Sequence, residues 1–165
     1  MTTDTNDQLG TYLNDHLGGA HAGVEMARQL QEEIQGEPGA EVLGRLAEEI
    51  EEDLDTLRGL VDTIGSTSHA IKQAAGWVAE KAHRLGVAET RTGSPHLTRL
   101  LQAESLSLGV EGKVRLWLAL IEVAPSYPQL AAVDFQRLVD RALDQRRRLE
   151  VVRLAAARRA FATAD

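Results

Sequence analysis

The chain contains no cysteine, which rules out disulfides, thiolate metal sites, iron–sulfur clusters and cysteine nucleophiles. Aromatic residues are nearly as scarce, with two each of Phe, Trp and Tyr. A core built with so few rings must rest on Leu, Val, Ile and Ala, which suits helix-on-helix packing. No long apolar run is present either. The most apolar stretch, residues 114–124, carries Arg115 and Glu122 and falls short of the ~20 residues a bilayer span requires. The first nine residues have neither a basic n-region nor an apolar h-region, so no signal peptide or membrane association is expected and a cytoplasmic location is. Phosphate-binding glycine loops and the Gly-x-Ser-x-Gly elbow are missing. His16, His21, His69, His83 and His96 are scattered, without a serine or acid partner for a triad, so an enzyme is not the expectation.

What remains is one domain's worth of chain, 165 residues with 43% hydrophobic and 26% charged side chains, an ordinary globular composition. Its net charge of −7 is unevenly spread. Residues 1–56 hold fourteen acids against two basic residues, whereas residues 134–165 hold eight arginines against five acids. The arrangement predicts that the basic C-terminal segment packs beside the acidic first half of its own fold. The competing reading is a nucleic-acid surface formed by Arg137, Arg141, Arg146, Arg147, Arg148 and Arg153, which the overall acidity opposes.

Apolar residues at three–four spacing predict five helical segments and no strands. The first covers about 8–35 and ends at Gly36 and Pro38, with residues 1–7 expected to be disordered. The second covers about 40–64 and ends at Gly65, a natural C′ residue. A short third segment, about 69–85, carries Trp77. Ser94-Pro95 is a start signal for the fourth, because serine caps and proline is favoured at the first helical position. That segment runs to about Val123, and the fifth fills about 134–161. Gly18, Gly19 and Gly23 lie inside the first segment, and Gly109 and Gly112 inside the fourth. Each costs ~1 kcal/mol relative to Ala in a helix interior. Close approach of the two helices is the favoured reason; a cavity beside His16 and His21, or a break at Gly18-Gly19, is the alternative.

The polar residues at inward positions carry the candidate chemistry. On the fourth segment Glu104 and Glu111, two turns apart, are placed near the face of Leu97, Leu100, Leu101, Leu108, Leu116 and Leu118. A bare buried carboxylate costs several kcal/mol, so each requires an arginine or a metal as partner, unless the pair lies on a shallow exposed edge of the helix. The first segment adds His21 and Glu25 at i and i+4. The second adds Glu49 and Asp53, with Asp53 between Ile50 and Leu57 on the inner stripe, and the fifth adds Gln145 between Ala142 and Leu149.

This arrangement resembles the ferritin-like superfamily, whose members join two helical hairpins by a long crossover and often hold two metal ions with inward carboxylates. The resemblance implies an all-α, ferritin-like four-helix bundle of two antiparallel hairpins, with a short extra helix in the crossover. Glu25 and Glu104 match the family's single-Glu positions. The Glu-x-x-His motifs of the other two helices are missing, and the one literal instance, Glu80-Lys81-Ala82-His83, falls in the crossover. The leading expectation is therefore a non-enzymatic structural or stress-associated protein that self-associates as a homo-oligomer. The alternative is a carboxylate-bridged iron or manganese protein with Glu25, Glu49, Asp53, Glu104, Glu111 and His21 as ligands.

Overall fold

A computed structural model of the chain describes residues 3–37, 39–65 and 93–162. These form four long helices: α1 (Thr3–Glu33), α2 (Ala40–Ile64), α3 (Pro95–Val123) and α4 (Phe135–Phe161). Two single 3₁₀ turns, Ala124–Ser126 and Pro128–Leu130, join α3 to α4. No strand occurs among the described residues, and no helix among them is long and apolar enough to cross a membrane. The short segment expected at 69–85, with Trp77, Glu80 and His83, lies outside the described residues.

Local chemistry sets the helix ends. Gly36 and Gly39 take φ of +82° and +102°, a left-handed conformation that strains any residue with a Cβ, and between them the chain turns from α1 into α2. The Ser94 hydroxyl accepts the Leu97 amide with Pro95 at the first helical position, and the Asp134 carboxylate accepts the Arg137 amide at 3.0 Å. α1 starts at Thr3, earlier than expected, so residues 3–7 are helical, and the Tyr127 hydroxyl donates to the Thr5 carbonyl at 3.4 Å. The helix also passes unbroken through Gly18-Gly19.

α1 packs along α2 and α3, and α4 packs along α3 and touches α2. The core between them is mainly aliphatic: Leu13, Leu30, Leu43, Leu120 and Leu149 are wholly or almost wholly buried, and Trp117 joins them at 0% exposure. On α3 the observed inner face keeps Leu100 and Leu116 of the expected one, both buried, and departs from it at two other leucines. Leu108 and Leu118 point outward, at 69% and 39% exposure, while Ala103, Leu106, Val110, Val114 and Leu120 are buried. Leucines occur on every side of this helix, so the apolar pattern does not single out a face.

One end of the bundle is tied by Glu37, in the α1–α2 turn. It accepts from Arg99 of α3 at 2.8 Å and from Arg159 near the end of α4. Arg99 also donates to the Glu33 carbonyl at 2.5 Å. The hydrogen bonds from Arg99 and Arg159 hold the Glu37 carboxyl below its ordinary value of 4.5. A carboxylate with a depressed folded value contributes its stabilisation in full above the ordinary value and loses it as pH falls through the depressed one. Glu37→Gln is accordingly expected to speed amide exchange in the last turns of α4 at neutral pH. The difference from the parent chain should shrink once the pH drops well below 4.5. Equal exchange in both chains at neutral pH would contradict the tie.

Candidate functional site

The polar centre of the bundle is assembled by three helices. Asp53 of α2 is 2% exposed, because it interrupts the inner stripe of Ile50, Leu54 and Leu57. Gln145 of α4, at 0% exposure, interrupts the stripe of Ala142 and Leu149 in the same way. From α3 comes Lys113, one turn from both Val110 and Trp117. Its ammonium donates to Asp53 Oδ2 and, at 2.6 Å, to Gln145 Oε1. Arg141 donates to Asp53 Oδ1 and, at 2.6 Å, to Glu52. Gln145 Nε2 completes the set, donating to Asp53 Oδ2 at 3.1 Å and to Glu49 at 3.3 Å. Arg148 then ties Glu49 to Asp144.

Both oxygens of Asp53 are thus engaged by cations, and charge-assisted bonds of this kind offset the cost of taking a carboxylate out of water. Burial pushes the Lys113 ammonium below its ordinary lysine value; the neighbouring Asp53 carboxylate opposes that shift without cancelling it.

The other candidate residues lie elsewhere. Glu104, half-exposed, accepts from Arg153 of α4 at 3.1 Å. Glu111 accepts from Arg146 of α4 and from Arg115 one turn along its own helix, at 2.6 Å. Both glutamates thus pair with arginines, at partly exposed positions of α3 rather than at buried ones. Glu25 and His21 are exposed on α1, where His21 Nε2 lies 3.5 Å from Arg58. Of the six proposed ligands only Glu49 and Asp53 belong to one cluster. Among the described residues, no three His, Asp or Glu side chains converge as a metal site would need.

Lys113 and Arg141 are the central residues that the sequence reading missed. Lys113 had a legible signal, since it stands in the 106–110–113–117–120 register of the true inner face. The arginines of α4 also pair largely with acids of their own fold: Arg141 with Glu52 and Asp53, Arg148 with Glu49, and Arg159 with Glu37.

Beside this centre lies a cavity of about 280 Å³ between α1, α2 and α3. Its walls include Gly18, Gly19 and Gly23 of α1 and Gly109 and Gly112 of α3. A Cβ placed on Gly19, Gly23, Gly109 or Gly112 would meet nothing within 4 Å. These glycines therefore do not mark the close helix contact expected of them; they leave open space. His16 borders that space, together with Asp53, Lys113 and Trp117.

No family model, curated protein or solved structure matches the chain. Its geometry alone carries the functional argument.

Proposed function

We propose that the chain is a ferritin-like bundle of two antiparallel hairpins in which an internal ion-pair network stands where that fold holds metals, and that it acts as a non-enzymatic structural or stress-associated protein that self-associates. The pairing of residues supports the topology. Arg28 meets Glu51 while Arg58 meets His21, so numbers rise along α2 as they fall along α1. Glu104 meets Arg153 and Glu111 meets Arg146, the same relation for α3 and α4. The further contacts, α1 with α3 and α2 with α4, are those expected when two such hairpins face each other.

The observation that carries the functional reading is the engagement of Asp53 by two cations. A divalent ion bound there would have to displace the Lys113 ammonium and the Arg141 guanidinium. It would find one further carboxylate, Glu49, already held by Arg148 and Gln145. Carboxylate-rich sites for iron or manganese require several free anionic or imidazole ligands around one point. These residues do not fit that requirement.

The expected result is that the purified full chain, after mild chelation, carries far less than one iron, manganese or zinc ion per molecule, with an unchanged melting midpoint. One tightly held ion per chain would overturn the reading. Val151, Leu154 and Phe161, left exposed along the second half of α4, support the self-association component of the proposal.

A further inference from the structure

We infer that the cavity between α1, α2 and α3 is a binding site for an uncharged, mostly apolar molecule with one ketone-like oxygen, which accepts from the indole N–H of Trp117. Two independent observations meet there, and the first is the space itself. Gly19, Gly23, Gly109 and Gly112 stand inside helices, where glycine is costly relative to alanine, yet a Cβ on any of them would meet nothing within 4 Å. What they leave is a slot. It opens beside exposed Gly19, Leu108 and Gly109 and is backed by the buried side chains of Leu54, Leu57 and Trp117. Most of its surface is apolar, so the body of a ligand there must be apolar as well.

The second observation is Trp117. It is wholly buried, yet its Nε1–H has no hydrogen-bond partner among the described residues. An indole has this one donor and no acceptor, and a buried donor left unpaired forfeits its bond to water without replacement. Side chains on a helix lean toward its N-terminal turn. For Trp117 that is the turn of Lys113 and Gly112, both of which wall the cavity, so the indole tilts toward the slot rather than past it. An oxygen carried in by a ligand gives this N–H its acceptor.

Charge and volume narrow the class. The walls carry both signs, Asp15 and Asp53 against Lys113, and Glu49 acts on the same ammonium. Asp53 and Lys113 pair with each other, Asp53 is paired with Arg141 besides, and Asp15 is itself engaged. An anion would lie beside the two carboxylates and a cation beside the ammonium. Either would leave water without a free counter-charge to meet, whereas a neutral molecule avoids that cost. A cavity of ~150 Å³ holds benzene; by proportion, 280 Å³ takes a molecule of roughly ten to twelve heavy atoms. A fused bicyclic ketone meets the requirements of size, neutrality and acceptor together.

The probe is α-tetralone, titrated by calorimetry into the full chain. Tetralin is the same skeleton without the oxygen, and phenylbutyrate and aminotetralin are anionic and cationic molecules of similar size. The ketone is expected to bind saturably at one site per chain and to raise the melting midpoint. Tetralin should bind about five- to tenfold more weakly, the worth of one hydrogen bond. Each ion should bind at least about tenfold more weakly. Trp117→Phe keeps a ring and removes the N–H, so the preference for the ketone over tetralin should disappear. The ratio of the two affinities is the readout, because a change in cavity size alone acts on both ligands alike. Gly23→Leu and Gly112→Leu each fill the slot. Each should abolish ketone binding while circular dichroism and melting report a folded helical chain, because leucine is a better helix former than glycine. Any of four results would overturn the inference: no saturable ketone binding, equal affinity for tetralin or for either ion, an undiminished preference for the ketone in Trp117→Phe, or undiminished binding in both leucine variants. None of these depends on whether the chain holds a metal, so this test and the metal analysis can fail separately.

Discussion

Asp53→Ala is expected to remove about 3–5 kcal/mol of folding stability, the range found when one partner of a buried ion pair is deleted. The cause is what remains behind rather than what is lost. Lys113, at 13% side-chain exposure, would lose its ion-pair partner, Arg141 would keep only the exposed Glu52, and Gln145 would lose an acceptor while wholly buried. Removing Lys113 in the same chain should recover part of that loss. The two substitutions share a bond, so their combined effect should fall short of the sum by about 1–3 kcal/mol. Urea unfolding followed by circular dichroism, on the parent, both single variants and the double variant, measures each term. A loss under about 1 kcal/mol for Asp53→Ala would mean that the network is dispensable, and strict additivity would mean that the two groups do not act together.

The second large effect is expected at Trp117. Truncating a fully buried tryptophan to alanine costs about 3–5 kcal/mol, and the cost grows with the void that persists. Trp117 is 0% exposed, its ring centre is 6.3 Å from that of Phe135, and it also walls the existing cavity. The new void would merge with that space. Partial collapse, which softens many such substitutions, has little to draw on where α1 and α3 face each other through glycines rather than side chains. The upper part of the range follows. Leu108→Ala on the same helix is the matched control. At 69% exposure it should change stability by less than about 0.5 kcal/mol. Comparable losses for the two variants would contradict the observed orientation of α3.

The contrast between these two positions also explains which parts of the molecule the sequence makes legible. The limits of α2 and the start of α3 follow from Gly65, Ser94 and Pro95, signals that act within a turn or two and depend on nothing distant. Asp53 and Gln145 could be placed inside because each interrupts a single, well-defined apolar stripe on α2 or α4. α3 offers no such stripe. Its leucines surround the helix, so the inner face was set too near Leu108 and Leu118, and Lys113 was passed over in favour of Glu104 and Glu111. The identity of the glutamates' partners depends on how α4 lies against α3, which is a tertiary matter. The glycines pose the same difficulty more sharply. A contact and a void are both consistent with glycine in a helix, and only the distance between α1 and α3 separates them.

The Asp53 network has one more consequence, for alignment. Aliphatic helix surfaces of the kind found here interdigitate almost as well after a shift of one turn, roughly 5.4 Å. Hydrogen bonds tolerate no such displacement. Because Asp53 on α2 takes bonds from Lys113 on α3 and from Arg141 and Gln145 on α4, a slip of any one helix against the others breaks at least one of them. The buried charges thus act as a keyed joint, selecting one sliding register out of several that leucine packing would accept.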